Sequence, residues 1–174
     1  MSTLKVSTIS PLGTDATNTV SLQAGAKTSG FGKIAQIVQG STTTATNIAS
    51  TSFSDTGLSA SITPSSTSSK ILVVVNQNLV TNIDTNLGNS KIQLLRDSTT
   101  VISWAENIAR IEAGNQSAVK FGHLVTFNYL DSPSTTSSVT YKTQGAVSST
   151  SNNGQSQFQH SSVSSLITLM EVLD

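Results

Sequence analysis

From Val119 to Tyr129 the chain alternates with a period of two. Val119, Phe121, His123, Val125, Phe127 and Tyr129 share one parity, and Lys120, Gly122, Thr126 and Asn128 occupy the other. Successive side chains of a strand point to opposite faces, so this spacing puts a row of large residues on one side of a sheet and a polar row on the other. A helix of the same residues would scatter both rows around its axis. A half-buried strand of this length needs sheet partners and a second layer over its apolar face.

The rest of the chain supplies them. Ile34 to Val38 is a short strand. Leu58, Ala60 and Ile62 alternate with Ser59, Ser61 and Thr63 until Pro64 stops the pattern. After a polar turn, Lys70 to Val80 reads as a strand buried at first on both sides. Ser90 to Arg96 and Thr100 to Ala109 form a hairpin through Asp97, Ser98 and Thr99, although Trp104 to Arg110 also fits a helical spacing. Asp131 to Ser134 breaks the long strand, Val139 to Thr143 restarts it, Asn152-Asn153-Gly154 marks a turn, and Leu166 to Leu173 is a final apolar strand. Roughly eight to ten short strands separated by turns predict an all-β, jelly-roll-like two-sheet β-sandwich over 33–174. No repeat at solenoid spacing is present.

Residues 1–32 are different. Leu4, Val6, Ile9, Val20 and Leu22 are spread among Pro11, Gly13, Gly25, Gly30 and Gly32, too sparse to close a core. This segment is expected to be an extended N-terminal arm that gains order against another surface. Gly30-Phe31-Gly32-Lys33 lacks the spacing of a phosphate-binding loop and reads as a hinge.

Composition narrows the function classes. The 174 residues contain no Cys, which removes disulfide frameworks, thiolate metal sites and cysteine nucleophiles. Lys+Arg and Asp+Glu number 9 each, and charged residues make up only 10% of the chain. With two arginines and no basic cluster it has no phosphate-neutralising surface, so nucleic acid is not an expected partner. The longest apolar run, Ile71 to Val75, is far too short to span a bilayer, and the opening residues lack a secretory signal's apolar stretch. Ser and Thr replace the missing charges, at about a third of all residues against an ordinary globular background.

Few residues offer chemistry. The only histidines are His123, on the apolar face of the long strand, and His160, in a polar stretch; neither follows a nucleophile elbow. Their expected roles are core or interface packing for the first and a surface position for the second. Glu106 with Glu112 or Asp97 is the nearest approach to a glycosidase carboxylate pair, with no sugar-stacking aromatic cluster beside it. Asp84 to Asn89 has oxygen donors and a glycine but misses the calcium-loop spacing, so a polar turn is expected. Asn115-Gln116-Ser117 matches a glycosylation sequon by chance. No catalytic residue, cofactor or metal is predicted, and the chain is not expected to be an enzyme.

Several stretches together resemble structural proteins of tailed bacteriophages, particularly cyanophage-like ones. Met1 to Ile9 and Thr17 to Leu22 are similar to the attachment end of phage fibre-like proteins. Asp55 to Pro64, Ser68 to Val75, Leu94 to Asp97, Tyr129 to Pro133, Thr140 to Lys142 and Ile167 to Glu171 resemble the β domain, akin to the C1q and tumour-necrosis-factor jelly rolls, that ends such fibres. A collagen-like or coiled-coil shaft is missing between Leu22 and Ile34. The resemblance implies a homotrimer of jelly rolls located in the virion, with arms gathered at the particle end.

The expected function is therefore a short trimeric fibre of the tail-fibre type. It docks on other virion proteins of tail or capsid through Leu4, Val6 and Ile9, and presents loops from Ser151 to Gln157, including Asn152, Asn153 and Gln155, to a host-surface glycan or protein. A capsid decoration or head-fibre protein is the alternative within the same class. A glycan-cleaving enzyme or a carbohydrate-binding module is the alternative outside it.

Overall fold

A computed structural model describes residues 34–83, 86–114 and 119–173. The chain divides into two units, Met1–Phe31 and Gly32–Asp174, and the described residues all belong to the second.

Ten strands form among them: β1 Ile34–Thr42, β2 Thr46–Ile48, β3 Ser54–Ile62, β4 Lys70–Ile83, β5 Asn86–Arg96, β6 Thr99–Gly114, β7 Val119–Asp131, β8 Val139–Val147, β9 Gln155–Phe158 and β10 Ser165–Val172. Two antiparallel sheets result. One runs β1-β10-β4-β7, with the short β2 and β9 continuing the β1 and β10 positions along the far half of β4; the other runs β3-β8-β5-β6. Strand pairing is nested: β5 with β6 innermost, then β4 with β7, β3 with β8, and β1 with β10. Nested antiparallel pairs divided between two layers are what a long hairpin produces when it rolls over on itself, so the fold is a jelly-roll β-sandwich.

The inward parity of each strand fills the space between the layers. Ile71, Val73, Val75 and Leu79 of β4 meet Ile92 and Leu94 of β5, Tyr141 of β8, Phe158 of β9, and Ile167 and Leu169 of β10, all fully buried. Each such aliphatic side chain contributes about 1.5–3 kcal/mol relative to exposure. Strand β7 follows its sequence alternation, with Phe127 buried and Lys120, Thr126 and Asn128 exposed. The expectation that β4 is buried on both sides is corrected: Leu72 and Val74 are only half-buried, because no described residue covers the outer face of their sheet.

The helical spacing around Trp104 also has a structural reading. Trp104 pairs with Ile92 but Ala109 with Ser90, so β6 carries extra residues there and its in-out pattern shifts while the chain stays extended. Two strands escape sequence periodicity. β2 is three residues long, and β9 (Gln-Ser-Gln-Phe) has one apolar residue.

Polar side chains cross the core as a connected chain. The Thr56 hydroxyl meets Thr143 Oγ1 at 2.5 Å, Thr143 donates to Gln77 Oε1 at 2.7 Å, and Gln77 Nε2 donates to Ser165 Oγ at 3.3 Å. Gln159, oriented to satisfy its neighbours, donates to the carbonyls of Thr56 and Thr44 and accepts from Ser165 and Gln77. Both sheets are thereby tied through bonds that leave these amides and hydroxyls paired, the condition for burying them without a net penalty.

Candidate functional site

The two longest strands, β6 and β7, are the outer members of the two sheets and lie beside each other on one flank. Their inward parities converge on a cleft of about 300 Å³ lined by Trp104, Ile108, His123, Val125 and Phe127, with Leu124 and Thr126 at its edge. Trp104 and Phe127 form its floor, their ring centroids 4.2 Å apart and planes tilted by 48°. Phe121 meets the His123 ring edge-on at 4.4 Å. This aromatic pair, which the sequence reading did not single out, is built by two strands distant in sequence. Its signal was the shared inward parity of Trp104 on β6 and Phe127 on β7.

His123 is the cleft's main polar group. Burial holds its imidazole pKa below the ordinary value, so the ring is neutral near pH 7. Its Nε2 is buried and has no hydrogen-bond partner among the described residues. A neutral imidazole there can exchange one hydrogen bond with a bound group, as donor or acceptor according to its tautomer.

On the β7 side of the cleft, from Phe121 to Leu130, the described side chains carry no charge. On β7, Phe121, Leu124 and Leu130 are 55%, 68% and 51% exposed. The outer face of the β7 sheet continues this surface: Ile37 pairs with Met170, Met170 with Leu72 and Leu72 with Leu130, so directly opposed residues make one apolar row across four strands. The only described charged side chains on that face are Lys70 and Lys120, near its two ends. The opposite sheet differs. Asp55 and Lys142 form a 2.9 Å ion pair on its outer face, Gln144 donates to Asp55 at 2.6 Å, and Lys91 lies on the neighbouring strand. These donors hold the Asp55 carboxylate below its usual pKa, Lys142 first and Gln144 second.

Two buried carboxylates hold the fold. Asp131 accepts from Tyr141 and Arg96, and Glu171, fully buried, accepts from Gln36 Nε2 and from the Ser65 main chain and hydroxyl, each at 2.6 Å. Burial alone would raise the Glu171 pKa. The bonds from Ser65 and Gln36, helped by the Ser69 hydroxyl that faces the carboxylate without closing a well-formed bond, bring it down to about 2.

The residues singled out by sequence fall as follows. Leu4, Val6, Ile9, the Gly30 to Lys33 stretch and Asn115 to Ser117 lie outside the described residues, as do Asp84 and Thr85, while Asn86 to Asn89 belong to β5. Glu106 and Glu112 are on β6, their side chains outside the described set. Asp97 is an exposed turn residue whose Oδ1 accepts from the Thr140 main chain at 2.9 Å. Asn152 and Asn153 form part of a short 3-10 turn, Ser151–Asn153; Asn153 is exposed and the Asn152 side chain is outside the described set. Gln155 is not in a loop: it opens β9, pairs with Asn82 and is half-buried. His160 is half-buried in a second 3-10 turn, 3.0 Å from Ser161 Oγ. No group of three or more acidic or histidine side chains able to hold a metal occurs among the described residues. None of the described helices is long and apolar enough to cross a membrane.

No protein-family model matches the chain, and no curated protein matches it significantly. A solved structure of the infectious bursal disease virus Gt strain matches with a TM-score of 0.31 and 16% identity, over 80% of this chain and 38% of that one. This chain thus spans well under half of that solved chain, and a likeness of this size carries no functional weight.

Proposed function

We propose that this chain is a non-catalytic structural component of a virus particle, of the tailed-phage kind, acting as a short fibre whose jelly roll faces outward. The observation that carries the assembly reading is the apolar, nearly uncharged outer face formed by Ile34, Ile37, Leu124 and Leu130, each at least half exposed. Such side chains concentrated on one sheet mark a surface that another protein covers. The pairing of Asp55, Asp97, Asp131 and Glu171 within the fold supports the non-catalytic reading, since none of these carboxylates is held ready for a substrate.

In this reading residues 1–32 dock through Leu4, Val6 and Ile9 on a tail or head protein, and the exposed 3-10 turn around Asn153 faces the host. Deleting the first twenty or so residues should leave the β-sandwich folded and abolish incorporation into particles. A truncated chain that still joins particles would sink the docking role. Copy number then assigns the place: a few dozen copies or fewer per particle fits a fibre, and hundreds fit a capsid decoration protein.

A further inference from the structure

We infer that the far half of the outer face of the β7 sheet, around Val80, binds a neutral, hydroxyl-rich glycan chain. This rests on the outward-facing reading above and moves the contact from the Asn153 turn onto the strands beside it. Along β4 the outward side chains change character: Leu72 and Val74 give way to Asn76, Asn78 and Asn82, with Val80 buried among them. Gln157 of β9 pairs with Val80, Gln155 pairs with Asn82, and Asn47 of β2 pairs with Gln157, so side-chain amides from three strands share one patch. The patch adjoins the turn, since Gly154 alone separates Asn153 from β9.

Two observations point to a ligand. Asn78 Oδ1, Asn82 Oδ1 and Gln157 Oε1 are buried and have no hydrogen-bond partner among the described residues, whereas Asn76 Oδ1, on the same row, accepts from Thr126 at 2.9 Å. Folded chains ordinarily avoid unanswered acceptors gathered in one patch. The terminal amide torsion is soft, so each oxygen can turn toward an incoming donor. The second observation is Gly122, which pairs with Val80 from the β7 side. It is exposed, and a Cβ there would meet only Val80 Cγ2, at an ordinary 3.8 Å. No described atom therefore requires a glycine at this position, although glycine weakens a strand; bare backbone of this kind marks a place where a ligand comes close.

The chemistry of the patch selects the occupant. Lys120 is its only described charged side chain, so a cationic group would find no carboxylate there and a polyanion only one cation. An apolar partner would leave the amide oxygens unanswered. Hydroxyl groups supply the missing donors and accept in turn from the amide nitrogens. Four residues of extended chain separate Asn78 from Asn82, about 13 Å, which suits a run of sugar rings better than one small molecule.

The test compares the full-length chain, Gly122→Val, Gln157→Ala and a Ser61→Ala control on the other sheet. Each is applied to a printed array of neutral and acidic oligosaccharides, then titrated with the neutral one that the unmodified chain binds best. The unmodified chain and the control should bind it equally, and Gln157→Ala should bind about tenfold more weakly for the loss of a hydrogen bond. Valine suits a strand better than glycine, so Gly122→Val should hold or raise the melting temperature while losing the glycan. Unchanged binding in either folded variant, binding of acidic oligosaccharides alone, or no binding by the unmodified chain overturns the inference. The particle-incorporation test above then decides the virion role separately. Should a variant fail to fold, nitrogen-15 spectra of the unmodified chain give the answer: the side-chain amide signals of Asn78, Asn82 and Gln157 must shift as the oligosaccharide is added, and shifts confined to other residues rule the patch out.

Discussion

Tyr141 donates its phenolic hydrogen to Asp131 Oδ2 at 2.6 Å, and Arg96 holds the same oxygen at 2.7 Å. The carboxylate ends β7 in one sheet, while its two donors come from β8 and β5 in the other, so one buried acceptor clamps the layers at one end of the sandwich. Burial first, and then the bond to Asp131, raise the Tyr141 pKa far above the ordinary phenol value.

Removing that phenol hydroxyl should cost more than an ordinary hydrogen bond. A bond to a charged group is worth about 1.5–3 kcal/mol, and Tyr141→Phe leaves the buried Asp131 carboxylate with Arg96 as its remaining described side-chain donor. Urea unfolding should show a lower midpoint with an unchanged slope. An unaltered midpoint would mean that the clamp does not hold the sheets together.

Gly145 faces the Phe158 ring so closely that an added Cβ would fall inside its van der Waals envelope. Gly145→Ala should therefore destabilise by about 1–3 kcal/mol through overpacking. Adding Phe158→Leu should recover part of the loss, because the obstacle is a ring and not main chain. A double variant no more stable than the single would place the strain elsewhere.

Glu171 sets the acid limit of the fold. Its pKa is about 2 in the folded chain against an ordinary 4.5, so the unfolded chain takes up the proton first as pH falls. The carboxylate's contribution is whole above pH 4.5 and is lost as the pH drops toward 2. Glu171→Gln turns an amide nitrogen toward the Ser65 or Gln36 donors, and should be less stable at neutral pH by about 1–3 kcal/mol. Thermal melts of the two proteins should converge between pH 4.5 and 2; a gap that stays constant over that range would exclude Glu171 as the titrating group.

Much of this was legible by parity. The even spacing from Val119 to Tyr129 placed β7 correctly because a sheet converts a period of two directly into inside and outside. The same rule marks Gln77, in step with Val73 and Val75, and Glu171, in step with Ile167 and Leu169, as inward-facing polar groups. What parity cannot give is the neighbour across the sheet. The β9 strand was read as loop because the burial of Ser156 and Phe158 comes from pairing with Thr81 and Leu79, not from its own composition. The cleft was hidden for the same reason, since nothing in either segment alone says that Trp104 and Phe127 stack.

His123 offers a last test, because its unpartnered nitrogen makes the edge of the sandwich less stable than its packing allows. Leaving a buried polar atom unsatisfied costs about 1–3 kcal/mol, so His123→Phe should hold or raise the melting temperature at pH 7. The pH dependence should change as well. Burial lowers the folded-state pKa of His123, so on acidification the unfolded chain binds the proton first; stability is complete above the ordinary value near 6.5 and declines as pH falls below it. The substituted protein should lack that decline between pH 7 and 5, while keeping the later one that Glu171 causes. Parallel curves for the two proteins through this range would show that the ring titrates as it does in the unfolded chain, and that its nitrogen finds a partner in solution.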